Sequence, residues 1–193
     1  MSNISGLRIM HTAVILTTCL FILYFSGMSP AHAQPPYTGQ QLRDIKALSS
    51  NELDDYLNGR GMGLAKAAEL NSYPGPRHVL DLSTELALQP SQIAKTTKIF
   101  ETMQENARSL GRQLVDKERE LDRLFASKRI DDIKLKQLLS DIATLTGQLR
   151  YTHLQAHLQQ TALLNEEQIQ RYNALRGYGD APHDKHQQHH HGH

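Results

Sequence analysis

The chain has 193 residues, with 21 Lys and Arg against 20 Asp and Glu, and it holds one cysteine and no tryptophan. A near-neutral charge balance argues against nucleic acid as a partner. The lone cysteine, Cys19, excludes an internal disulfide, and the length fits one domain of ordinary size.

At the N-terminus a lone basic residue, Arg8, precedes an apolar run from Ala13 to Phe25 and then Ala31-His-Ala33. This is the three-part layout of a secretory signal with an A-x-A cleavage site. The run is short of the ~20 residues a membrane span needs. Residues 1–33 are therefore expected to be a cleaved leader, with retention as an anchor as the alternative. Cleavage removes Cys19, so thiolate metal sites and cysteine nucleophiles are excluded from the mature chain.

Residues 34–73 read as a linker and short helices. Ser49-Ser-Asn-Glu52 has the form of a capping box, opening a helix with Leu53, Tyr56 and Leu57 on its apolar face and Gly59 and Gly61 at its end. A second short segment, Leu64 to Leu70, stops at Asn71-Ser-Tyr-Pro-Gly-Pro76. Residues 74–178 form the main helical domain. The pattern predicts a helix from Arg77 that carries Val79, Leu80, Leu82, Leu86 and Leu88.

A long helix should begin at Pro90, with Ile93, Phe100, Met103, Ala107, Leu110, Leu114, Leu121 and Leu124 spaced as an a/d seam. It runs about 38 residues, near 55 Å by helix geometry. A break at Ser127 to Ile130 leads to Asp131-Asp132, placed to start a second helix. Its seam is expected at Leu135, Leu138, Ile142, Leu145, Leu149, Thr152, Ala156, Gln159 and Leu163. Two long helices joined by a few residues pack antiparallel, so the fold class is all-α: a long helical hairpin with short helices before and after it. Phe125, Leu139, Leu154 and Leu158 flank the seams and need cover, which points to a homodimer.

Histidine is used unusually. Of eleven, His11 and His32 lie in the leader, while His78, the pair His153 and His157, and a terminal cluster remain. The cluster, residues 179–193, contains His183, His186, His189, His190, His191 and His193 and reads as a disordered tail that chelates Zn(II), Ni(II) or Cu(II) loosely. Its spacing, interrupted by Asp184, Gln187 and Gly192, does not look like an engineered run. His153 and His157 leave one helix face about 6 Å apart, able to grip one ion. A half-buried position one step off the seam is expected for them. His-Leu-Gln-Ala-His lacks the Glu that a zinc protease needs after its first His. His78 starts a helix, where a neutral, ligating ring is favoured. No catalytic set appears, because Gly59-Arg-Gly-Met-Gly63 has neither the lysine nor the preceding strand of a phosphate loop. An enzyme is not expected.

Two phrases match: Leu88-Gln-Pro-Ser-Gln92 before the long helix, and Leu164-Asn-Glu-Glu-Gln168 before the last short one. Both fit Leu-x-x-x-Gln, with Gln89 and Asn165 at the usual Thr, and the chain from Pro74 to Gly177 resembles the periplasmic LTxxQ proteins. These are the Spy and CpxP chaperones, the zinc-resistance protein ZraP and heavy-metal sensors related to CnrX. The resemblance implies a periplasmic location, a cradle-like dimer, and either metal sensing or ATP-independent chaperoning of unfolded clients. It also implies signalling to a membrane sensor kinase or an anti-sigma factor. CnrX-like sensors carry His-x-x-x-Met on the comparable helix, and His153-x-x-x-His157 falls there; their N-terminal histidine pair is missing, leaving His78. Metal sensing or resistance ranks first because of the histidines, and the chaperone is the alternative.

Overall fold

A computed structural model describes residues 35–178. The leader and the histidine tail lie outside the described residues. The chain divides after Gly39 into two units. Of the first, residues 35–39 are described, a turn in which Thr38 N–H donates to Pro35 O (3.0 Å). The regular elements among the described residues of the second unit are all helices, without a strand. A single 3₁₀ turn at Gln40–Leu42 precedes α1 (Ser50–Asn58), α2 (Lys66–Glu69), α3 (Pro76–Asp81), α4 (Pro90–Ala126), α5 (Asp132–Thr161) and α6 (Glu166–Leu175).

The expected capping box starts α1. Glu52 N–H donates to Ser49 Oγ (3.2 Å) and Ser49 N–H donates to Glu52 Oε2 (2.9 Å), which satisfies two of the amides a helix start leaves free. At the other end Gly59 takes φ 64°, and Arg60 N–H and Gly59 N–H close onto Asp55 O and Tyr56 O. α1 then lies against α4 at Gly111, where any Cβ would overlap the carbonyl of Tyr56. Only glycine permits that approach.

The helix expected to run from Arg77 through Leu88 is shorter. α3 ends at Asp81, and a helical turn carries the chain to Ala87, which adopts φ 49°. Leu88 N–H donates to Ser83 O and Ala87 N–H to Thr84 O, the same closing pattern as at Gly59, here without glycine. The turn still buries Leu86 and Leu88, which join Val79, Leu164 and Tyr172 in one apolar cluster. A second cluster, Ala107, Leu114 and Leu149 with Tyr56, Leu64 and Leu110 against it, sits halfway along the hairpin.

α4 and α5 are antiparallel. Lys117 Nζ lies 3.0 Å from Asp141 Oδ2 near the turn, and Gln92 Nε2 donates to Leu163 O (2.9 Å) at the open end. Asp131 caps α5 by accepting from Lys134 N–H (2.8 Å). The second seam departs from expectation over its last turns. Leu138, Leu149 and Ala156 are buried, but the face continues through His153, His157 and Gln160, while Gln159 is exposed and Thr152 and Leu163 are half-buried. A straight helix drifts by ~20° per heptad against a seven-residue repeat, and over this stretch α5 also packs on α2 and α3. Both effects rotate the buried stripe by one residue. Among the flank positions, Phe125, Leu139 and Leu158 are exposed and Leu154 is half-buried.

The two matched phrases meet in space. Gln92 Nε2 donates to Gln168 Oε1 (2.9 Å) and Gln168 Nε2 donates back to Gln92 Oε1 (3.1 Å). Each glutamine sits at the third position of its helix and also accepts from the amide of its own cap residue, Gln89 or Asn165. Gln168 Nε2 further reaches Leu86 O (3.3 Å). Two helix starts are thus locked together with their polar atoms satisfied, which fixes α6 across the open end of the hairpin.

Candidate functional site

His153 and His157 sit one turn apart on α5, and both are buried, 3 % and 9 % exposed. The half-buried position expected from the sequence is corrected by the rotation of the α5 stripe. α2 supplies the residue that organises them, Glu69. Its Oε1 accepts from Tyr172 Oη at 2.5 Å, the length of a hydrogen bond to a carboxylate. Arg176 Nε approaches the same oxygen at 3.4 Å. Burial, and then the bond to Glu69, raise the Tyr172 hydroxyl well above its ordinary pKa, so it stays a donor.

Glu69 Oε2 lies 3.7 Å from His157 Nδ1, and Nδ1 is 2.7 Å from Tyr73 O. A carbonyl only accepts, so Nδ1 carries the hydrogen, and in the neutral ring Nε2 holds the lone pair. The Cε1–Nε2 edge lies against Gly75, where a Cβ would come within 3.0 Å of Nε2. A carbonyl and a carboxylate behind one nitrogen, with the other left free, is how a ligating imidazole is oriented. His153 is different. Its Nε2 is buried without a hydrogen-bond partner, and burial, with the neighbouring His157 adding to it, lowers its pKa below that of ordinary histidine. It is held neutral.

Both rings line a cleft of about 310 Å³ bounded by α3, α4 and the Gly59–Gly61 turn, with Phe100 and Met103 on its apolar side. His78 lines the same cleft from α3, its Nδ1 3.8 Å from Asp81 Oδ2. The two arginines in the wall are engaged elsewhere, Arg60 with Asp54 and Asp55 and Arg77 with Asp81. Three histidines from two separate segments therefore face one space. Imidazole nitrogens are the donors that suit a borderline divalent cation. Among the described residues, no three of His, Cys, Asp and Glu stand close enough to hold an ion together.

Glu69, Tyr172 and Gly75 gave no signal in the sequence. Glu69 sits in a four-residue helix within the short amphipathic segment Leu64 to Leu70, and its partner is 103 residues away. Glu85, Glu101 and Glu105 do not line the cleft. His183, His186, His189, His190, His191 and His193 lie outside the described residues. Comparison with protein-family models, curated proteins and solved structures finds no match for this chain.

Proposed function

We propose that this is an exported, periplasmic metal-responsive protein that takes a divalent transition metal, Zn(II) or Ni(II) foremost, at His153 and His157. The observation that carries the reading is the buried, unpartnered Nε2 of His153. It stands beside an imidazole whose tautomer is set by Tyr73 and Glu69, on a cleft that His78 also lines. A buried polar atom without a partner is disfavoured by roughly 1–3 kcal/mol, and a bound cation relieves that. His153 and His157 would hold the ion, and His78 would approach from α3; the ion would supply a charge whose binding is read as a signal. Glu69 contributes negative charge behind His157 and keeps its ring oriented. The periplasmic assignment, a homodimeric state and signalling to a membrane kinase or anti-sigma factor follow the LTxxQ resemblance.

Calorimetric titration of the chain from Gln34 with Zn(II) and Ni(II) tests it. His153→Ala or His157→Ala should remove the tightest site, and Glu69→Gln should weaken it by about tenfold, the usual effect of losing a residue behind a ligand. A first equivalent unaffected by His153→Ala would overturn the reading.

A second reading, an ATP-independent chaperone, is favoured by the exposure of Phe125, Ile133, Leu139 and Leu158. Suppression of aggregation of a reduced, unfolded client by the purified protein would support it; no effect at several-fold excess would remove it.

A further inference from the structure

Met103 lines the cleft together with His153 and His157. The register of the hairpin places it there. Gln92 meets Leu163 at the open end and Lys117 meets Asp141 near the turn, so between them Met103 on α4 stands level with His153 on α5. Methionine ordinarily fills gaps between apolar side chains. This one is half-buried and belongs to neither apolar cluster, and the space it borders is shared with His153, whose buried Nε2 has no hydrogen-bond partner.

The charge around the cleft separates one class of ion from another. Arg60 and Arg77 line it, whereas the carboxylates that pair with them, Asp54, Asp55 and Asp81, do not, and no Asp or Glu is among the described residues in its wall. The cost of taking an ion out of water rises with the square of its charge, so a wall without carboxylates is kinder to a monovalent ion than to a divalent one. Thioether sulfur is a soft donor that selects Cu(I), and imidazole suits copper as well. Zn(II) takes four ligands, while among the described residues no three of His, Cys, Asp and Glu are grouped; Cu(I) is satisfied by fewer. On the reading that the cleft is a metal site, we propose that it also takes a soft monovalent ion, Cu(I) or its redox-inert counterpart Ag(I), with Met103 as the third donor beside His153 and His157. One cleft then answers to two classes of ion, and Met103 tells them apart: its sulfur binds the soft ion and leaves Zn(II) to the imidazoles.

From Gln34 onward the chain has no cysteine, and its methionines are Met62 and Met103. Met62 is exposed in the adjoining turn and does not line the cleft. Sulfur bonded to copper can therefore come only from these two. Copper K-edge X-ray absorption of the chain from Gln34 with one equivalent of Cu(I), kept anaerobic, should show sulfur bonded to the metal, retained in Met62→Leu and lost in Met103→Leu. Competition titration with Cu(I) and with Ag(I), and calorimetry with Zn(II), give the affinities. Met103→Leu keeps the volume and apolarity of the side chain; it should weaken Cu(I) and Ag(I) by at least about tenfold, since even a group behind a ligand is worth that much, and leave Zn(II) unchanged. No copper–sulfur signal in the unaltered chain, or one that persists in Met103→Leu, overturns the proposal. So does an equal loss of Cu(I) and Zn(II) in that variant, the mark of a packing effect. Each of these leaves the divalent site standing if His153→Ala/His157→Ala still removes the first equivalent of Zn(II). If that double variant binds both ions as the unaltered chain does, the cleft reading falls and this inference with it.

Discussion

At the open end of the hairpin, side chains that would ordinarily sit in water are buried: His153, His157, Gln160, Gln168 and, largely, Glu69. At the turn end Phe125, Ile133 and Leu139 are about half or more exposed, as Leu158 is toward the open end, and ion pairs such as Lys136–Asp132 lie on the surface. Every buried side-chain atom without a hydrogen-bond partner among the described residues belongs to the open end or its flanking segments, at Glu69, Thr96, His153, Gln160, Asn173 and Arg176. Burying a polar group unpaired opposes folding, so the open end is where this fold is least favourable. One hairpin thus gathers its buried polar side chains at one end.

The largest expected effect tests whether the open end is as tightly tied as its hydrogen bonds imply. Gln168→Ala should destabilise the protein by about 3 kcal/mol, because the Gln92 amide, Leu86 O and Asn165 N–H all lose a partner, each worth roughly 1–3 kcal/mol when left buried. Urea denaturation followed by circular dichroism measures it. A loss under 1 kcal/mol would mean that water replaces the glutamine pair and that the open end is not rigid. Next comes Tyr172→Phe. It removes the hydroxyl from the Glu69 carboxylate and should cost about 2 kcal/mol, while also weakening Zn(II) binding as Glu69 relaxes away from His157.

The sign of the pH response is set by His153. Its pKa is lowered in the folded state, so the unfolded chain binds the proton more readily. Stability contributed by the neutral ring is complete above the unfolded value, about 6.5, and is lost as pH falls below it, with a slope no steeper than about 1.4 kcal/mol per pH unit for one group. Chelator-treated protein should show this loss as pH falls below about 6.5, and His153→Leu should flatten it. An unchanged slope in His153→Leu would place the proton elsewhere.

Much of the helical fold was legible in the sequence, and the rest failed for identifiable reasons. The elements followed from strong local signals: the Ser49 capping box, Pro90 at a first turn, the Asp131-Asp132 start of the second long helix, and a seam repeated over many turns. The α5 stripe was off by one residue past Leu149, where a helix in contact with α2 and α3 no longer obeys a two-helix repeat. His153 and His157 were recognisable as a pair, but their burial depended on Gly75, Tyr73 and Glu69 arriving from a segment far off in the chain. The two glutamines suggested a kinship between helix starts, and spacing alone could not say that they bind each other.

The smallest effect on stability is expected at the turn end. Phe125 lines a groove with Lys46, Glu118 and Leu121 and remains 54 % exposed, and Leu139 is 49 % exposed. Replacing either by Ser should change the unfolding free energy by no more than about 0.5 kcal/mol, as surface substitutions do. If the apolar flank is where two copies meet, the same substitutions remove a contact that each copy makes with the other, so a two-fold interface loses the area twice. Sedimentation of Phe125→Ser/Leu139→Ser should then shift from dimer to monomer at micromolar concentration while Zn(II) affinity stays unchanged. A double variant that still sediments as a dimer would move the association surface away from the turn. One that loses Zn(II) affinity along with the dimer would break the comparison, because the open end would then depend on the turn end.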